Sequence, residues 1–179
     1  MKTQKIIILI FIILTAVTAV RFLSAKNEER KTLPVLQHIE EARISVKAAP
    51  FKKEDIEEKS ENSFKGLFFD SVHKEMQYSL TYAVYNKEPD IQSALAALEE
   101  VFKDYNFSYK PQEMEIGKNP ALKIEGYYEK NGKKYGIKKV LIKKDKNLWQ
   151  VFTIYPFSDK NEKAANEYID SIVLDDSEK

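Results

Sequence analysis

Asn131-Gly132 sits between two runs of strand-forming residues, 122–129 and 134–143, and no other dipeptide in the chain restricts the fold as strongly. Asn tolerates positive φ and Gly accepts it freely, so the pair favours a tight two-residue hairpin turn. A third run, 148–155, follows the turn at Asp145-Lys146-Asn147 and is stopped by Pro156. This predicts a three-stranded antiparallel meander. A two-residue turn sets Tyr128 opposite Tyr135 and Leu122 opposite Leu141, yet it leaves Val140 and Ile142 on the other face. Either a bulge near Lys138-Lys139 shifts the register or the sheet is covered on both sides. Two helices, one per face, satisfy the second option.

Two segments carry helical spacing. Ile91, Ala94, Leu95, Leu98, Val101 and Phe102 recur at three and four after Pro89 and Asp90, the latter suited to capping orphan amides. The second helix is expected from Asp159, with Glu162 three residues on as an Asp version of the capping box. It presents Ala165, Tyr168, Ile169 and Ile172 on one face. Upstream, Phe64, Leu67, Phe68 and Phe69 form one strand pattern and residues 78–85 another. The piece holding Pro111, Gly117 and Pro120 reads as irregular. The fold class is α+β, an antiparallel meander with helices packed on it, in a domain spanning residues 63–179.

Residues 26–62 read as a charged linker or irregular segment, with charged stretches at 26–31 and 52–59. Between them Leu33, Leu36, Ile39 and Ile44 are compatible with a short helix confined by Pro34 and Pro50. Residues 1–25 have a different character. Lys2 and Lys5 precede an apolar run, 6–16, interrupted only by Thr15, and Arg21 closes the apolar stretch. Such a segment is a signal peptide cleaved after Ala19 or Ala25, or an uncleaved anchor if Phe22 and Leu23 join it. Both readings place the domain outside the cytoplasm, secreted or tethered.

Composition removes several function classes. The chain has no cysteine, which excludes disulfides, thiolate nucleophiles, Cys-ligated zinc and a lipid-modified N-terminal cysteine. Its 29 basic and 28 acidic residues nearly cancel, so no bulk charge favours nucleic acid. Five glycines and no glycine-rich loop leave no cradle for phosphates.

Asp70, Ser71 and His73 invite comparison with a hydrolase triad. Neighbours this close in a turn do not converge as orienter, nucleophile and base, and the glycines of a nucleophile elbow are missing. Metal binding by His73 with Asp70 and Glu75 lacks a known ligand spacing, and His38, the other histidine, lies in the charged segment. No catalytic, cofactor or metal residue is assigned, and a non-enzymatic protein is expected. Lys133, Lys134, Lys138, Lys139, Lys143, Lys144 and Lys146 are interleaved with Tyr127, Tyr128 and Tyr135. They read as solubilising an exposed hairpin, with Glu125, Glu129 and Asp145 diluting any patch for anionic lipid or an acidic partner. Trp149, Phe152 and Tyr155 read as core.

Over residues 78–174 the order is strand, helix, a meander with the hairpin Asn131-Gly-Lys-Lys-Tyr135, the strand Asn147-Leu-Trp-Gln-Val151, and the helix Asp159-Lys-Asn-Glu … Tyr168-Ile-Asp-Ser-Ile172. That order resembles the PsbP-like family. The resemblance implies an α/β/α sandwich and a non-enzymatic binding or assembly protein on the outer side of a membrane, with an unidentified, membrane-associated protein partner. It implies no photosystem attachment, because nothing here looks like a chloroplast transit peptide. The alternative is a cystatin-like or NTF2-like carrier that holds a small molecule or peptide on a concave sheet face. A bare sheet face favours the carrier, and helices on both faces favour the sandwich.

Overall fold

A computed structural model describes residues 33–59 and 63–175, so the signal or anchor reading of residues 1–25 lies outside the described residues. In chain order, β1 (Val35–Ile39) and β2 (Ile44–Ala48) are joined by a short 3-10 turn, Glu40–Ala42, and followed by β3 (Lys52–Glu58), β4 (Phe64–His73) and β5 (Met76–Tyr85). Helix α1 (Ile91–Phe102) precedes β6 (Ser108–Ile116), β7 (Asn119–Lys130), β8 (Lys133–Lys144) and β9 (Asn147–Pro156). Helix α2 (Asp159–Asp170) and the two-residue β10 (Val173–Leu174) close the fold. A seven-stranded antiparallel sheet runs in the order β3-β4-β5-β9-β8-β7-β6, and a small sheet runs β1-β2-β10.

The hairpin turn forms as the dipeptide predicts, with φ of 52° at Asn131 and 72° at Gly132. Register then runs without interruption from Lys130↔Lys133 through Tyr128↔Tyr135 and Leu122↔Leu141 to Ala121↔Ile142. No bulge relieves the mismatch of faces, so both faces are buried. On one face, Ala94, Ala97, Leu98 and Phe102 of α1 pack with Leu122, Ile124, Ile137 and Leu141. On the other, Ala165, Tyr168 and Ile169 of α2 pack with Val140, Ile142, Trp149 and Val151, joined by Ile44 and Val46 of the small sheet. The sheet therefore lies between one helix and a helix-plus-sheet layer, an α+β sandwich. Neither face of its centre is bare, so the concave-sheet geometry of the carrier alternative is not formed.

Four local expectations are corrected. Residues 33–44 do not make a helix: Ile44, Val46 and Ala48 are buried at every second position, the period of a strand, and they bring β1 with them as an antiparallel partner. The charged stretch after Pro50 is an ordered edge strand, β3, paired with β4 from Lys52↔Asp70 to Glu58↔Phe64. Charge is what protects an exposed edge from pairing with other chains, so the composition that suggested a linker suits an edge equally well. The segment holding Pro111 is likewise the opposite edge, β6, where a residue without an N–H does no harm. Helix α2 is capped by Ser158, whose Oγ accepts from Asn161 N at 3.3 Å, while Asp159 and Glu162 place negative charge in its first turn. The Asp90 cap forms as read, accepting from Gln92 N at 3.0 Å.

Candidate functional site

Strand alternation decides the fate of the triad-like residues. Ser71 and His73 share the face of β4 that carries Phe69 toward α2, whereas Asp70 lies on the opposite face. Ser71 Oγ is buried without a hydrogen-bond partner, so it is not coupled to His73 as a nucleophile is to its base. Glu75 sits in the β4–β5 turn, where Lys74 and Glu75 have φ of 47° and 63°. Among the described residues no group of three or more His, Asp or Glu side chains is placed to hold a metal ion. His38 is on the outer face of the small sheet, with Nδ1 3.2 Å from Ser45 Oγ and Nε2 3.7 Å from Asp175.

The meander lysines do not form one patch. Lys134 lies over the rings of Tyr127 and Phe157, at 3.9 and 4.2 Å from their centroids. Lys138 is buried on the α2 side of the sheet, donating to Glu125 at 2.7 Å, with Glu162 of α2 at 3.9 Å. Its neighbour Lys139 points to the α1 side and is 2% exposed. Burial pulls its pKa down to about 7. Lys143 pairs with Glu88, and Lys133, Lys144 and Lys146 remain exposed. Strand periodicity explains the split, since adjacent lysines must enter opposite layers. Trp149, Phe152 and Tyr155 are all core, as read; Trp149 Nε1 donates to Ala42 O at 2.6 Å and so ties the large sheet to the small one.

The concave feature best suited to a ligand was not legible in any single stretch. A cleft of about 320 Å³ opens where β1 begins, between the tip of the β4–β5 hairpin and the first turns of α2. Its apolar wall is Leu33, Pro34, Met76, Tyr78, Ala164 and Tyr168, and its polar rim is Lys47, His73, Lys74, Lys160, Asn161 and Glu167. The two tyrosines meet edge to face, with ring centroids 5.0 Å apart. Tyr168 donates to Ser79 O at 2.8 Å, which pins its ring. Burial, with Glu167 adding to it, raises Tyr78 to about 12, and burial holds Tyr168 well above the usual tyrosine range. The floor is therefore uncharged at any physiological pH.

On the rim, Lys47 donates to Glu167 at 2.8 Å, and that hydrogen bond holds the Glu167 carboxyl below the usual carboxylate range. Glu167 is the one carboxylate lining the cleft among the described residues, and Lys47 already neutralises it. Lys74 and Lys160 have no ion-pair partner among the described residues, so the rim carries net positive charge. Beside the mouth, Leu33 and Leu36 are 65% and 66% exposed, an apolar lip at the start of the fold. A smaller, polar recess of about 180 Å³ lies beneath Arg43, Lys144 and Asp175, floored by the stacked rings of Tyr82 and Trp149.

No protein-family model and no curated protein matches this chain. Solved structures overlap it loosely. PA94 from Pseudomonas aeruginosa, a protein of unknown function, gives a TM-score of 0.45 at 12% identity, covering 81% of this chain and 99% of that one. LpqN, involved in cell envelope biogenesis of Mycobacterium tuberculosis, gives 0.44 at 13% identity, with 82% and 87% covered. The immunity protein TplEi of the type VI secretion system of Pseudomonas aeruginosa gives 0.47 at 10% identity, with 84% and 52% covered. With every TM-score below 0.5, none of these likenesses assigns a family or a function.

Proposed function

We propose that this chain is a non-enzymatic binding or accessory module on the outer side of a membrane, built on a PsbP-like sandwich and delivered by the apolar segment at residues 6–20. The observation that carries the binding half is the cleft at the start of β1, an apolar wall under a cationic rim, whose His73 is not hydrogen-bonded to the nearby Ser71. Such a surface holds a molecule and offers no paired nucleophile and base to transform it. Burial on both sides of the sheet supports action through an edge and its clefts rather than through an enclosed cavity. A protein partner recruited at the same membrane completes the reading.

Address is tested by fusing alkaline phosphatase, which needs an oxidising compartment, after Lys179. An active reporter is expected. A stable fusion without activity would place the domain in the cytoplasm and overturn the proposal.

A further inference from the structure

The cleft combines three features that point to one ligand chemistry. Its wall is apolar and aromatic, made by Leu33, Met76, Tyr78 and Tyr168. Lys74 and Lys160 project charge at its rim from two different elements, the β4–β5 turn and the first turn of α2, and the single rim carboxylate is already paired. Leu33 and Leu36 extend the apolar surface outward past the mouth, where they face solvent. Water satisfies none of that apolar area, and a free inorganic anion would use the lysines but leave the wall bare. An amphipathic anion uses both.

The sequence says where such a molecule would come from. The apolar segment ends at Leu23 when Phe22 and Leu23 join it, and the described residues begin at Leu33, so residues 24–32 lie between the two. Nine residues reach at most about 32 Å even when fully extended. With the segment kept in the bilayer as an anchor, the cleft mouth, whose lip is Leu33-Pro34, lies within that distance of the headgroups. Anionic lipids concentrate positive side chains at this depth, and lysines near the surface add to the attraction charge by charge.

We infer that this cleft binds an anionic phospholipid of the membrane to which the chain is tethered, with acyl-chain carbons against Tyr78, Met76 and Tyr168 and the headgroup phosphate between Lys74 and Lys160. This rests on the extracytoplasmic binding reading above and adds the ligand class.

The test uses the full chain in neutral detergent micelles, with phosphatidylglycerol or phosphatidylcholine added, and counts retained lipid by native mass spectrometry. Selective retention of phosphatidylglycerol is expected. The double variant Lys74→Gln, Lys160→Gln should reduce that retention by roughly 30-fold, the effect of removing two charges near a headgroup. Lys144→Gln with Lys146→Gln, at the β8–β9 turn and so at the opposite end of the sheet from the β4–β5 hairpin, should leave it unchanged. Inorganic phosphate at millimolar concentration should not displace the lipid, because it makes no use of the apolar wall. Equal retention of the two lipids, insensitivity to the cleft variant, or full displacement by phosphate alone would overturn the lipid assignment. An active export reporter alongside any of those results leaves the binding-module reading standing. An inactive reporter overturns the export reading whatever the lipid result.

Discussion

Lys139 should make the stability of this protein depend on pH in a way its surface lysines cannot. It lies on the α1 side of β8, 2% exposed, flanked along that face by Ile137 and Leu141 and beside Ile124 and Phe152 on the adjacent strands. Its ammonium sits 5.8 Å from the Phe152 ring centroid. Burial lowers its pKa from 10.5 to about 7. Because the folded value lies below the unfolded one, the unfolded chain holds more protons between those two pH values, and stability must rise with pH across that window. The penalty is fully present below about pH 7 and is gone above the unfolded pKa. At 1.36 kcal/mol per unit the whole window is worth about 5 kcal/mol, of which roughly 2 kcal/mol falls between pH 7 and pH 9. Lys139→Met keeps the length of the side chain and removes the charge. Urea unfolding at pH 6, 7, 8 and 9, followed by the fluorescence of Trp149, the single tryptophan, reads the effect directly. The variant should be more stable than the parent at pH 6 and the gap should narrow toward pH 9. A parent flat from pH 6 to 9, or a variant with the same slope, would refute the assignment of the buried charge.

Other perturbations test the architecture. Gly132→Val places a β-branched side chain at φ 72° and should cost about 1–3 kcal/mol, read as a lower thermal midpoint; no change would mean the turn relaxes freely. Leu98→Ala on α1 and Ile169→Ala on α2 should each cost about 2–5 kcal/mol by the same measurement, since each is buried in a different layer. An unchanged midpoint in either would show that its helix does not close that face. Gly136→Ala would bring a methyl group to 2.3 Å from the buried ring of Tyr155, and unfolding in urea should show a loss of about 1–3 kcal/mol. A neutral result there would mean that the ring has room to move.

Much of the layering was written in the local sequence, because it follows from short-range rules. Asn131-Gly132 set the hairpin, a two-residue turn set the register, and the conflict between Leu141 and Val140 required cover on both faces. The helix stripes at Leu98 and Ile169 then supplied it. Where the sequence misled, tertiary pairing overrode composition. Lys52-Lys53-Glu54 has no preference that marks a strand, and it becomes one because β4 offers an unpaired edge. Pro111 stands in a strand for the same reason, at the other edge. The lysines show the limit most clearly. Lys138 and Lys139 are identical and adjacent, yet one pairs with Glu125 beneath α2 while the other is buried on the α1 side, a difference set by the pleat and by what each layer contains. The cleft was beyond any local reading, because Leu33, Lys47, Lys74, Tyr78, Lys160 and Tyr168 come from five parts of the chain. Sequence periodicity determines which face a side chain takes. Only the folded contacts decide what waits for it there.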